Sequence, residues 1–212
     1  MLMGKMFKSI PSQLATNKKR YVISKATGKR KVNKDLERFS DLLDSRTVIA
    51  CYNTLNPGLA LSQTRDEQTF KLYLSDVGLF TTMIFDSTPK TGDNIYSKLL
   101  GDKLSADLGY LYENIVAQIM NSTGRELYYH TWNKDKSTHS YEVDFLVQSG
   151  NKIVPFEVKS YSSKIHESID VFCKKYSQYI SNSFLLSQKD VSQENKLKFK
   201  PVYILPFILE DL

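Results

Sequence analysis

The chain is 212 residues long, 41% hydrophobic and 25% charged, which suits a globular protein of one large or two small domains with a sizeable core. No run approaches the roughly 18 consecutive apolar residues of a membrane span, and Cys51 and Cys173 are too few and too far apart for a disulfide scaffold or a zinc cluster. The net charge of +6 is unevenly placed: residues 1–50 hold 12 Lys/Arg against 4 Asp/Glu, and residues 51–212 hold 17 against 19. A basic end on a near-neutral body is the electrostatic footprint of a nucleic-acid binder, or else a solvated arm. Met1-Leu2-Met3-Gly4-Lys5-Met6 has no apolar stretch behind its lysine, so no signal peptide and a cytoplasmic location are expected.

In chain order, residues 18–34 are polar and basic and read as a loop or a weakly ordered arm. Residues 34–45 place Leu36, Phe39, Leu42 and Leu43 at helical spacing, with charges opposite. Residues 47–52 and 69–74 read as strands, the second from the alternation of Phe70, Leu72 and Leu74. Helix, strand, strand is the second half of a winged-helix module, whose helix is the element placed against DNA. Lys29, Arg30, Lys31, Lys34 and Arg38 would decorate it as nucleic-acid-binding residues. Gly28-Lys29 lacks the glycine five positions earlier and the following Ser or Thr of a phosphate loop, so no nucleotide site is expected.

Pro89, Gly92, Asp93 and Gly101 mark a predicted boundary between a segment at 1–90 and a domain at 95–212. Beyond it, residues 104–121 form the strongest predicted helix, with Leu104, Leu108, Leu111, Ile115, Val116 and Ile119 as one stripe and Glu113 at its margin. Strands are predicted at 126–132, 141–148 and 152–160, the last two joined by Ser149-Gly150-Asn151. A helix at 163–180 and closing strands at 184–186 and 202–205 complete an α/β order of helix, three strands, helix, strand, strand. Asp76, after a strand and before Gly78, reads as a helix cap.

The candidate chemistry lies in two neighbouring strands. Alternation puts Glu142, Asp144 and Leu146 on one face of the first, with Val143, Phe145 and Val147 on the other; Glu157 and Lys159 share a face of the second, opposite Val154, Phe156 and Val158. Carboxylates at Asp144 and Glu157 are the hard oxygen donors that hold Mg²⁺ or Mn²⁺ beside a phosphate, and Lys159 can orient the attacking water. Glu113 could complete such a cluster. A structural ion-pair cluster is the competing reading of the same residues. Trp132 and the tyrosines are expected to serve packing more than base stacking.

The spacing Glu113…Asp144…Glu157-x-Lys159 resembles that of the PD-(D/E)XK nuclease superfamily, whose restriction-endonuclease-like core is an α-β-β-β-α-β unit. Glu142-Val143-Asp144 stands where that family usually has Pro-Asp. The resemblance implies that Glu113, Asp144, Glu157 and Lys159 are catalytic, the three carboxylates holding the metal. Ile10-Pro11-Ser12-Gln13-Leu14, residues 70–79, Gly109-Tyr110-Leu111-Tyr112-Glu113-Asn114, residues 142–146 and Pro155-Phe156-Glu157-Val158-Lys159-Ser160 are similar to a larger prokaryotic family. Its members are AAA-type ATPases with a C-terminal, nuclease-like domain of unknown function. This implies a DNA-directed module, with an ATPase domain or another protein as partner. The ATPase part is not among these residues, so a fragment or a stand-alone remnant is expected. The expected activity is metal-dependent phosphodiester hydrolysis; a non-catalytic DNA- or protein-binding module is the alternative.

Overall fold

The computed structural model describes residues 2–16, 18–28, 33–58, 60–85, 109–135, 137–160 and 166–212. Its elements begin with helices α1 (Leu2–Lys8), α2 (Ile10–Leu14), α3 (Ile23–Thr27) and α4 (Asn33–Asp44). Strand β1 (Val48–Thr54), a 3-10 turn (Leu61–Thr64), β2 (Arg65–Leu74), α5 (Val77–Phe85) and α6 (Gly109–Ser122) follow. Then come β3 (Leu127–Asn133), β4 (Ser140–Ser149), β5 (Lys152–Val158), α7 (Glu167–Lys175) and β6 (Ser183–Ser187). Last are β7 (Ser192–Glu194), β8 (Leu197–Pro201), a 3-10 turn (Val202–Ile204) and α8 (Leu205–Glu210). The fold is mixed α/β, and α6 to β6 keep the expected order of helix, three strands, helix, strand. Two compact units are present, one of Met1–Ala50 and Lys71–Gln118, the other of Cys51–Phe70 and Ile119–Leu212. The boundary expected at 86–102 lies outside the described residues.

In the first unit, Met6, Ile10, Leu14, Tyr21, Ile23, Leu42, Leu72, Leu74 and Phe80 are buried. The stretch expected to be an arm is docked over residues 18–28: the Tyr21 hydroxyl donates to Met6 O at 2.9 Å and Val22 N–H to Gln13 Oε1 at 2.7 Å. Two hydrophobic side chains, Tyr21 and Ile23, anchor this basic segment, and charge counting does not register them. Gly28, at φ 69°, closes α3 in the left-handed conformation that glycine adopts without a steric penalty. On α4, Leu42 is buried and Phe39 stacks on Tyr21 at 6.0 Å, but Leu36 is 46% exposed, so the apolar face is narrower than its spacing suggested. Asp76 accepts from Leu79 N–H at 2.6 Å at the start of α5, the capping role expected of it.

In the second unit, β3 to β8 with residues 51–54 of β1 and 65–70 of β2 make one mixed sheet, in the order β2-β1-β3-β4-β5-β6-β8-β7. β1 is parallel to β3, so the two strands after α4 enter this sheet instead of standing apart as a wing. The β3-β4-β5 meander is antiparallel, β5, β6 and β8 are parallel, and β7 closes the edge antiparallel to β8. β5 is buried from Ile153 to Val158, as a strand flanked on both sides and covered on both faces must be. Residues 202–205 are not a strand. Pro201 ends β8, and Pro206 lies in the first turn of α8, where a missing N–H costs nothing. The helix predicted over 163–180 is described only as Glu167–Lys175, with Ile169 and Phe172 buried; beyond it Ile180 bridges to Ile153.

A register shift interrupts the meander. Tyr128 pairs with Leu146 and His130 with Val143, so Asp144 and Phe145 together oppose Tyr129 alone. That is a β-bulge in β4. It overturns the simple alternation read from sequence: Val143 and Leu146 lie in one core cluster with Tyr128, Ile153 and Phe172, although three positions apart.

Candidate functional site

The bulge sits at Asp144, one of the candidate site residues. The β4–β5 ladder runs from Ser149↔Lys152 to Phe145↔Phe156, and one step further lie Asp144 and Glu157. Along β5, odd-numbered amides point away from β4: Ile153 N–H donates to Tyr179 O at 2.8 Å and Lys159 N–H to Leu186 O at 2.9 Å. Even-numbered amides point towards β4. The last of these, Val158 N–H, meets the Asp144 carboxylate, with Oδ2 at 2.9 Å. The bulged strand thus supplies a side-chain oxygen where the ladder ends, and Asp144 is fixed by a charge-assisted bond.

Glu157 belongs to the same end of the meander. Asp144 and Glu157 are 5% and 4% exposed, and Lys159 Nζ lies 2.7 Å from Glu157 Oε1 with the lysine side chain reaching solvent. The structure therefore brings Asp144, Glu157 and Lys159 together, at the buried root of a surface lysine. Glu142 is half-buried, one strand position from Val143 and paired with Thr131.

Glu113 is placed in the first unit and is almost fully buried. It is not at the margin of its helix: Glu113, Val116, Ala117 and Met120 form the buried stripe of α6, and Ile115 and Ile119 are only half-buried. One carboxylate oxygen accepts from Lys19; the other accepts from the Tyr73 hydroxyl at 3.1 Å and lies 3.6 Å from the fully buried Lys71 ammonium. The neighbouring Asn114 brackets the end of β2, accepting from Leu74 N–H at 2.8 Å and donating to Leu74 O at 3.0 Å. The sequence reading does not name Lys19, Lys71 or Tyr73 as partners of Glu113. The available signal was Lys71 itself, a charge inside the apolar run Phe70-Lys71-Leu72-Tyr73-Leu74, which implies a buried counter-charge.

Of the expected nucleic-acid contacts, Lys29, Arg30 and Lys31 lie outside the described residues, Lys34 falls in α4, and Arg38 is exposed on that helix. Trp132 packs between His130, at 5.1 Å, and Tyr141, at 5.2 Å, with Lys175 over its ring, so it is a packing residue as expected. Among the described residues, no group of three or more His, Cys, Asp or Glu side chains is arranged as a metal-binding set, and no helix is long and apolar enough to cross a membrane.

Fold and site together define a mixed α/β domain with a carboxylate pair and a lysine where two central strands part. Residues 108–205 match a family described as a domain of unknown function (DUF4143). That region contains α6 and the β3-to-β8 part of the sheet, and with them Glu113, Asp144, Glu157 and Lys159. No curated protein matches the chain.

Proposed function

We propose that this protein is a nuclease-like DNA-processing module whose chemical site is formed by Asp144, Glu157 and Lys159. The observation that carries the reading is that the β4–β5 register ends at Asp144 and Glu157, with the Asp144 carboxylate on Val158 N–H, Glu157 on a lysine that reaches solvent, and a bulge of β4 at Asp144. Bulges recur next to active sites because they re-aim a side chain. The element order from α6 to β6 supports a PD-(D/E)XK-type, restriction-endonuclease-like core, and the match over 108–205 agrees with the resemblance to the C-terminal region of AAA-type ATPases. An ATPase domain is accordingly the proposed partner. The helix-strand-strand order of α4, β1 and β2 supports a winged-helix-like segment, and the pairing of β1 with β3 weighs against it.

The donor set fits Mg²⁺ or Mn²⁺ in type: Asp144 and Glu157 are hard oxygen ligands. When bound, such an ion supplies charge neutralisation at the phosphate and an acidified water. Asp144 holds its share of the site rigidly through Val158 N–H. Lys159, on Glu157 and partly exposed, is placed to steer a phosphate or a water as substrate arrives. Glu113, engaged by two lysines and a tyrosine, is the weakest member of the proposed set.

The test is cleavage of supercoiled and branched DNA with Mg²⁺ or Mn²⁺. Asp144→Asn keeps an acceptor for Val158 N–H but removes a charged ligand, and is expected to lower cleavage by at least about 100-fold, the upper range for losing even an outer-shell partner. Intact DNA with the wild-type protein, or equal cleavage by the variant, overturns the catalytic reading. The engagement of Glu113 by Lys19, Lys71 and Tyr73 favours a second reading, a DNA-binding module without turnover. That reading expects affinity that falls steeply with salt, with a slope reduced by about one for each phosphate-contacting residue among 29–34 changed to alanine, and no metal requirement.

A further inference from the structure

The two faces of the sheet at β6 and β8 are covered unequally. Leu185, Leu197 and Phe199 pack with Ile169 of α7, so Phe184, Lys198 and Lys200, which alternate with them, face the other side. There they border a groove of about 590 Å³ whose second wall is α8. Ile204, Phe207, Ile208 and Asp211 supply that wall at the helical spacing i, i+3, i+4 and i+7, with helical backbone at both Ile204 and Asp211. One side of the helix packs inward, through Leu205, Ile208 and Leu209. Around the groove, however, Phe207 is 65% exposed, Tyr203 73% and Val191 54%. Single exposed apolar residues are ordinary, but three large ones gathered at one groove mark an interaction surface. The charges of this face are separated along it. Lys200 lies near the end of β8, just before the helix, and Asp211 follows the helix, about 10 Å along the axis from Ile204. Among the described residues neither has an ion-pair partner, whereas Lys198 donates to Asn182 Oδ1 at 2.7 Å.

We propose that this face docks a second copy of the chain, the two α8 helices lying antiparallel about a twofold axis near Phe207. A twofold interface uses the same patch on both copies and has to be self-complementary. This patch is so in shape and in charge: a groove stands beside an exposed aromatic ring, and a lysine at one end of the helix is matched by a carboxylate at the other. Antiparallel helices bring Asp211 of each copy to Lys200 of the other, and each Phe207 to the other's groove. A nucleic acid would satisfy only the lysine end and would leave the apolar side chains in water. The interface shares no residue with Asp144, Glu157 or Lys159, so it stands or falls independently of the nuclease reading.

The test is sedimentation equilibrium of the full chain, which is expected to reach twice the mass of one chain at concentrations up to about 100 μM. Phe207→Ala, at an exposed position, is expected to raise the dimer dissociation constant by about tenfold or more, as for an aromatic anchor near the centre of an interface. The Tm of the dilute monomer is expected to stay unchanged in that variant. Lys200→Glu and Asp211→Lys each set like charges against one another across the interface, and each is expected to weaken the dimer by about tenfold. An equimolar mixture of these two variants regains an opposite-charge contact at both ends, and is expected to dimerise as the unaltered chain does. The proposal is overturned if the chain is still a monomer at about 100 μM, which would leave the face to a different protein. It is equally overturned if Phe207→Ala dimerises as tightly as the unaltered chain, or if the mixture associates no better than either variant alone.

Discussion

Glu113→Ala is expected to destabilise the first unit by about 3–5 kcal/mol, the cost of removing one partner of a buried ion pair. Glu113 is 2% exposed and Lys71 fully buried; the alanine variant takes away the carboxylate that the Lys71 ammonium faces at 3.6 Å. It also removes the acceptor used by Lys19 and by the Tyr73 hydroxyl. Glu113→Gln keeps a neutral acceptor for Tyr73 and is expected to recover part of the loss. The double variant Glu113→Leu/Lys71→Met replaces the pair with apolar side chains and is expected to approach wild-type stability, since isosteric apolar replacement of a buried pair is often neutral or better. Urea unfolding of all three variants measures this. If the double variant is no more stable than Glu113→Ala, the pair is not what Glu113 contributes. The same series separates two roles for this residue. A metal ligand would lose cation affinity in the double variant even with stability restored, whereas a structural counter-charge would not.

The core of the sheet was legible because its signals are local. Alternating apolar residues and the Ser149-Gly150-Asn151 turn gave the strands on either side, observed as Ser140–Ser149 and Lys152–Val158. The candidate residues Asp144, Glu157 and Lys159 were legible for the same reason, as polar positions interrupting two hydrophobic strands. What escaped is set by contacts between distant residues. The bulge at Asp144 depends on the pairing of β4 with β3, and nothing in Tyr141-Glu142-Val143-Asp144-Phe145 announces it. The docking of residues 18–28 depends on Tyr21 meeting Met6 and Val22 meeting Gln13, hidden in a stretch whose composition reads as a charged arm. β8 carried a period-2 signal of its own, Leu197 and Phe199 buried with Lys198 and Lys200 between them. The β-branched and aliphatic run after Pro201 has the composition of a strand, and Pro206 makes it a helix start instead.

Stability is expected to fall by about 2 kcal/mol between pH 7 and pH 5, and by about 3 kcal/mol by pH 4, through His130 alone. His130 is 4% exposed, stacked on Trp132 at 5.1 Å and set edge-on to Phe172 and Tyr176. Its Nδ1 lies 2.7 Å from Thr54 O, which can only accept, so Nδ1 carries the proton of the neutral ring. A second proton would have to go on Nε2, beside the Tyr176 hydroxyl at 3.4 Å. Burial pushes the imidazole down to about 4, the Thr54 carbonyl opposing and the Lys175 charge adding to the effect. The ring in the unfolded chain binds its proton near pH 6.5 and in the native state only near 4. Acidification therefore favours the unfolded state throughout that window: the stabilisation is complete above about pH 6.5, is lost progressively between there and about pH 4, and falls no further below the folded value. His130→Phe removes the titration at the cost of a bond to Thr54 O. It is expected to start less stable at pH 7, by about 1–3 kcal/mol for the acceptor left buried, and to show a flatter profile between pH 5 and 6.5, where few carboxylates titrate. Urea midpoints across that range decide the matter. An equally steep profile in the variant would place the acid sensitivity elsewhere in the chain.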